Sequence, residues 1–236
     1  MSERTPVAVV SGAGSGIGRA VALELARRGH RLALLGRRPE PLRETLAAAA
    51  VDGGTWSCDV RLAAEVRSVA AAVAARGLGE VRVLVPAAGT ALVAPLAETD
   101  PDDFARVVET NLHGAFHLVQ AFLPQLRRAT PSWILPVLSV AARRGLPGWG
   151  AYGASKWGLR GLVATLREEL AGTGVAITAL YAGAIDTPLW DDLAGEWPRE
   201  RMVPVEEVAR AVGWALEAAP RAVLEEVHLG PADGVL

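Results

Sequence analysis

One lysine, one asparagine, one cysteine and two tyrosines are all that this chain of 236 residues contains of those types. The lone cysteine, Cys58, rules out an internal disulfide. No stretch approaches the roughly 18 uncharged apolar residues of a membrane helix, so no membrane partner is expected. No basic run exceeds two residues and the formal net charge is −2, which leaves no positive field for nucleic acid. The opening residues MSERTPVAVV lack the apolar middle and small-residue cleavage site of a secretion signal, and the expected location is the cytoplasm.

Apolar material is plentiful. A hydrophobic content of 51% and a mean hydropathy of +0.26 suffice for one sizeable core, and the length fits a single domain over 1–236. Of the 24 basic residues, 23 are arginine, and the one lysine is Lys156. A GC-rich genome or selection against thermolabile residues can deplete lysine and asparagine. Either pressure removes dispensable copies, which turns the survivors Lys156 and Asn111 into candidates for chemistry that arginine or another residue cannot do. Chance retention is the competing account.

Apolar strands alternate with helical patterns. Strands are predicted at Pro6–Ser11, Arg31–Leu35, Thr55–Cys58, Val81–Val85, Trp133–Leu138, Val175–Tyr181 and Val223–Leu229. Helices are predicted at Ile17–Arg28, Pro39–Ala50, Leu62–Arg76, Pro101–Arg127 with a kink at Pro124, Ala151–Ala171 and Pro204–Ala218. This α/β order implies a doubly wound parallel sheet with helices on both faces.

The first strand runs into Ser11-Gly12-Ala13-Gly14-Ser15-Gly16-Ile17-Gly18 and then a helix. A dinucleotide pyrophosphate can meet free backbone N–H groups and the positive helix end at such a turn. The spacing of Gly12, Gly16 and Gly18 is G-x-x-x-G-x-G, not G-x-G-x-x-G. At the tip of the second strand, where an acid would hold both ribose hydroxyls of NAD, stand Gly36, Arg37 and Arg38. Arginine pairs bidentately with a 2′-phosphate, so NADP(H) is favoured over NAD(H). Two solvated loop charges would be the ordinary alternative.

Tyr152 and Lys156 lie four residues apart at the start of a predicted helix and share a face. A tyrosine, whose pKa is ordinarily about 10, needs roughly 4 kcal/mol of differential stabilisation to act as a base near neutrality. An ammonium and a bound cationic nicotinamide are sources of it. Ser139 follows a predicted strand thirteen residues earlier, at the sheet edge where ligands bind, and can hydrogen-bond a substrate oxygen. It is not in a G-x-S-x-G elbow. His113 and His117 are spaced i,i+4, but no third ligand accompanies them, and no metal is expected.

With these motifs in place, nearly the whole chain resembles the classical short-chain dehydrogenase/reductase family, which implies a Rossmann-like fold. The loop at 11–18 is similar to its cofactor loop, and Asp59 and Val60 fall where the family sets an acid against adenine. Ala88 and Gly89 end the segment after the fourth strand, and Gly183, Ile185 and Thr187 belong to the nicotinamide loop. The resemblance implies that Asn111 holds a water in a proton relay to Lys156, and that Ser139, Tyr152 and Lys156 complete the catalytic set, with Tyr152 and Lys156 also touching cofactor. It further implies a homodimer or homotetramer.

The chain departs from the family in Pro86-Ala87-Ala88-Gly89, in Tyr181-Ala182-Gly183, and in Pro136 inside a predicted strand. Residues flanking the reactive positions, namely Leu92, Ala141, Leu146, Trp149, Leu189 and Trp190, are candidate walls of an apolar substrate pocket shared with Ser139 and Tyr152. The segment Pro188–Val203 reads as a short lid, suited to a small or medium carbonyl or alcohol. A catalytically silent NADP(H)-binding sensor or scaffold is the alternative, and a nucleotide-sugar epimerase would need a further domain.

Overall fold

Strand β1 (Pro6–Ser11) divides its side chains between two cores: Val7 and Val9 point into one, Ala8 and Val10 into the other. Two buried faces are what its near-continuous apolar sequence requires. The same alternation holds in β2 (Arg31–Gly36), where Ala33 and Leu35 face the first core, and Leu32 and Leu34 the second. The computed structural model describes residues 5–217 and 222–234. Within them follow β3 (Gly53–Ser57), β4 (Glu80–Val85), β5 (Ser132–Ile134), β6 (Val137–Ser139), β7 (Val175–Ile177), β8 (Ala179–Ala182) and β9 (Glu226–Leu229).

All strand pairs are parallel, in the orders β3-β2-β1-β4-β5-β7 and β6-β8-β9. The two ladders continue one another: the Val137 N–H donates to Pro86 O at 3.1 Å and the Leu180 N–H to Pro136 O at 3.0 Å. The single strand predicted over 133–138 is therefore divided, and the reason is Pro136, which has no N–H to give to its neighbour. The strand predicted over 175–181 divides beside it at Thr178, whose N–H donates to Ile134 O at 3.0 Å.

Helices α1 (Gly16–Arg27), α2 (Pro39–Ala49) and α7 (Val205–Glu217) cover one face of the sheet, and α3 (Ala63–Ala75), α5 (Gly114–Arg128) and α6 (Gly150–Leu170) the other. The end of the predicted last helix, at 218, lies outside the described residues, and the last strand begins at Glu226 instead of Val223. The long helix predicted over 101–127 is interrupted. It runs as α4 (Pro101–Val108), a wider π turn at Glu109–His113, and α5, which passes through Pro124 without a break. Such π turns concentrate at functional sites, and this one carries Asn111. No described helix is long and apolar enough to cross a membrane.

Candidate active site

The carboxyl ends of the strands open onto a cavity of about 1180 Å³, where open α/β sheets bind ligands. Its floor at one end is the loop after β1, where Gly12, Gly14, Ser15, Gly16, Ile17 and Gly18 all line the space. Glycine is needed here for reasons of distance. A Cβ on Gly18 would stand 2.3 Å from Gly12 O, and one on Gly12 would stand 2.9 Å from the Ala88 backbone at a φ of +65°. The Arg19 N–H gives the first bond back to Ser15 O, at 3.1 Å, so the N–H groups of Gly16, Ile17 and Gly18 have no helix carbonyl before them. A cradle without side chains, at a helix start with free donors, fits a dinucleotide pyrophosphate.

The segment 86–89 keeps its place despite its departures. The N–H groups of Ala87 and Ala88 donate to Ser11 Oγ at 3.0 and 3.1 Å, so a buried hydroxyl ties this turn to β1. Ala88 and Gly89 line the cavity, as do Gly183, Ile185 and Thr187. Thr187 Cβ comes within 3.3 Å of where a Gly16 Cβ would lie, which brings the segment 183–187 against the glycine turn.

Beyond the glycine turn, Arg37, Arg38, Asp59 and Val60 line the cavity. Both arginines are exposed, and they form no ion pair among the described residues. Asp59 accepts from the Arg61 guanidinium at 2.6 and 3.0 Å and from the Arg61 N–H at 3.0 Å, and this holds its carboxyl below the ordinary value. Arg61 is a lining residue that the motifs did not single out.

Tyr152 and Lys156, in the first turns of α6, face the cavity together with Ser139 at the end of β6. Burial pushes the Tyr152 hydroxyl above its ordinary pKa, while a hydrogen bond with Ser139 pulls the other way. The Ala141 N–H donates to Ser139 Oγ at 3.2 Å, which fixes the hydroxyl. Lys156 is buried, and this lowers its pKa to about 8. Its Nζ donates to Val137 O at 2.8 Å and lies 5.5 Å from the centre of the Tyr152 ring.

Asn111 does not line the cavity; it is buried behind the wall. Its Oδ1 accepts from the Thr90 N–H at 2.8 Å, and its Nδ2 donates to Thr90 O and to Ser155 Oγ, each at 2.9 Å. The Ser155 hydroxyl donates in turn to Tyr152 O at 2.7 Å. Ser155 was not anticipated, although its place between Tyr152 and Lys156 on one helix was visible. His117 Nδ1 lies 3.0 Å from Val60 O, and no group of three or more metal-ligating side chains occurs among the described residues.

Leu146, Trp149, Leu189 and Trp190 line the cavity as expected. Ala141 does not, and this corrects the expected wall: its side chain is 1% exposed and it contributes its N–H to Ser139 instead. Leu92 lies over a smaller, adjoining hollow with Ala91 and Leu193, which shares Thr90, Val93 and Asp192 with the cavity. Trp197, Val93, Arg143 and His228 are additions that distance in the sequence concealed. Tyr181, one of the departures from the family, stacks on His228 at 4.5 Å and donates to Glu226 Oε1 at 3.1 Å.

The chain matches the family model described as short chain dehydrogenase over residues 6–196. It is 33% identical to the sepiapterin reductase of Chlorobaculum tepidum, with 97% of each chain covered. An alcohol dehydrogenase from the archaeon Thermococcus sibiricus, solved with 5-hydroxy-NADP, superposes with a TM-score of 0.87 at 33% identity, covering 96% of this chain and 97% of that one. A metagenomic short-chain oxidoreductase in complex with NADP gives a TM-score of 0.83 at 29% identity, covering 98% and 100%.

Proposed function

This chain belongs to the short-chain dehydrogenase family, and we propose that it is an NADP(H)-dependent oxidoreductase acting on a small to medium carbonyl or its alcohol. The observation that carries the reading is the meeting of Tyr152, Ser139 and Lys156 on one cavity with the glycine cradle. Arg37 and Arg38, in no ion pair among the described residues and with glycine at position 36 where an acid would stand, support a 2′-phosphate over a bare ribose.

When bound, the reduced nicotinamide supplies the hydride. Tyr152 gives its proton to the substrate oxygen, a role for which burial keeps it protonated at rest. Ser139 accepts from the Ala141 N–H, and its hydroxyl, bonded to Tyr152 in the resting site, would turn to donate to that oxygen. Lys156 stabilises the phenolate left behind through its adjacent positive charge. Asn111 fixes the first turn of α6 through Ser155, and any proton path it joins starts from there. Residues 188–203 form the lid: Arg199 ties it to Asp186 and, within it, holds Asp191, at 2.6 Å each, and Val203 pairs with Ile185 at its far end.

The test is NADPH oxidation followed at 340 nm against a panel of aldehydes and ketones. Turnover with NADPH exceeding that with NADH supports the reading. Tight NADPH binding without turnover of any member would favour a silent redox sensor. We also propose that the protein is a homodimer or homotetramer. Phe116 on α5 and Trp157 on α6 are 42% and 48% exposed, and a second copy would cover them. Sedimentation of a monomer at micromolar concentration would contradict this.

A further inference from the structure

Three of the chain's seven tryptophans form one wall beside Tyr152. The Trp149 ring centre lies 5.4 Å from that of Tyr152, at 66° to it. Trp190 and Trp197 each lie 5.8 Å from Trp149 in edge-to-face arrangement, and 4.8 Å from one another. All three line the cavity. The described cores are built instead mainly from valine, leucine and alanine, with Tyr181 and Phe122 as their largest fully buried side chains, while Trp56 and Trp133 pack against them only partly buried and apart from one another. This concentration of indoles is therefore not general core filling.

The wall is held from behind. The Trp149 N–H donates to Leu146 O at 3.1 Å, and its backbone pairs with Ala94. Trp190 Nε1 donates to Ile185 O at 2.8 Å. Trp197 Nε1 has no hydrogen-bond partner among the described residues, and contacts with the Trp149 and Trp190 rings help to position that indole. A substrate whose carbonyl oxygen sits at Tyr152 and Ser139 must pass one of its substituents along Trp149.

Indole faces attract cations as well as aromatic rings, and charge separates the two. Six arginines and Lys156 line the cavity against the carboxylates of Asp59 and Asp192; Arg61 is paired with Asp59, Arg106 with Asp103 and Arg143 with Glu226, and the balance stays positive. A cationic substrate would enter against that field.

We propose that the Trp149–Trp190–Trp197 wall is a subsite for a planar aromatic group adjoining the reacting carbon, so that the substrates are neutral or anionic aryl carbonyls and the corresponding alcohols. This rests on the oxidoreductase reading above. The test uses binding that does not require turnover. Acetophenone and cyclohexyl methyl ketone are titrated, by ligand NMR, into the protein saturated with NADP⁺, a state with no hydride to transfer. Acetophenone should bind about 3- to 10-fold more tightly, the range that an aromatic pair contributes beyond its buried area. Trp149→Leu should reduce that preference to within about twofold while NADPH affinity stays unchanged. Equal affinities in the wild type, no binding of either ketone, or a preference that survives in both Trp149→Leu and Trp190→Leu overturns the proposal, as does tighter binding of a ketone bearing a quaternary ammonium. NADPH oxidation by the two ketones, measured in parallel, separates the readings. Equal turnover of both sinks the aryl subsite and leaves the oxidoreductase. Aryl-selective binding with no turnover of any carbonyl sinks the oxidoreductase and leaves a binding site.

Discussion

The two ends of the cavity are built from opposite materials. At the glycine turn, space is made by missing side chains: the Gly18 Cα is so close to Gly12 O, and Gly12 so close to Ala88, that one carbon more would collide with backbone. At the far end, space is shaped by the largest side chains in the chain, carried on the turns 140–149 and 188–203. The first end is anchored on β1 and α1 and cannot yield without moving the sheet. The second is fastened partly by surface ion pairs such as Arg199–Asp186, each worth about 0–1 kcal/mol. A rigid cradle suits an invariant ligand, and a side-chain wall on turns can be re-cut for another substrate. Tyr152 and Lys156 stand between the two and serve both.

Removing the shared centre should have the largest effect. Tyr152→Phe deletes the proposed proton donor, and kcat should fall by about 10²- to 10⁴-fold with NADPH affinity and Tm preserved. Stopped-flow or steady-state assay with any accepted carbonyl decides it; activity within tenfold of wild type would remove Tyr152 from the chemistry.

Next come the two ends, taken one against the other. Gly18→Ala puts a methyl group 2.3 Å from a carbonyl oxygen that no flexible side chain can vacate. NADPH affinity, measured by fluorescence titration, should fall tenfold or more, a factor worth about 1.4 kcal/mol. Trp149→Leu should leave it within about twofold, because wall residues touch substrate and not the cradle. Similar losses for both variants would break the contrast. Arg37→Ala with Arg38→Ala tests the cradle end by charge instead of by space. Hydrogen bonds to charged groups contribute about 1.5–3 kcal/mol each, so NADPH should weaken by at least tenfold while NADH changes little. Parallel losses for the two cofactors would make the arginines general attractors and not readers of a 2′-phosphate.

The same contrast explains what the sequence disclosed. The cradle was legible because its requirement is local: glycine at set spacings after an apolar strand. Tyr152, Lys156 and Ser139 were legible for a similar reason, being residue types few others can replace. The break at Pro136 was visible as a missing donor, yet its consequence, two ladders offset across Leu135 and Thr178, depends on neighbouring strands. Ala141 was misplaced because its nearness to Ser139 in sequence does not reveal which way its side chain turns. Trp197 and His228 reach the cavity only through the return of distant turns, and no spacing rule carries that. The Asn111 to Ser155 bond joins positions 44 apart.

The smallest effect is the subtlest, and it concerns stability. The Lys156 ammonium is buried and its pKa is lowered from the ordinary value of 10.5 to about 8. Below pH 8 both folded and unfolded chains hold the proton, and the folded state bears the cost of burying the charge. Between about pH 8 and 10.5 the unfolded chain binds more protons than the folded one, so this group's contribution to stability becomes more favourable as pH rises through that window. Lys156→Met has no such proton. The difference in urea-unfolding free energy, wild type minus variant, should therefore climb between pH 8 and 10.5, whatever the offset from the hydrogen bond to Val137 O that the variant loses. Activity should move the opposite way. Once Lys156 is neutral, the phenolate of Tyr152 has no adjacent positive charge, and kcat for reduction should decline above about pH 8. Stability rising while turnover falls in one pH window would tie both to a single buried proton. A flat stability difference would mean that the ammonium is solvated in the folded protein, and that the boundary between the two ends of the cavity is wetter than its packing implies.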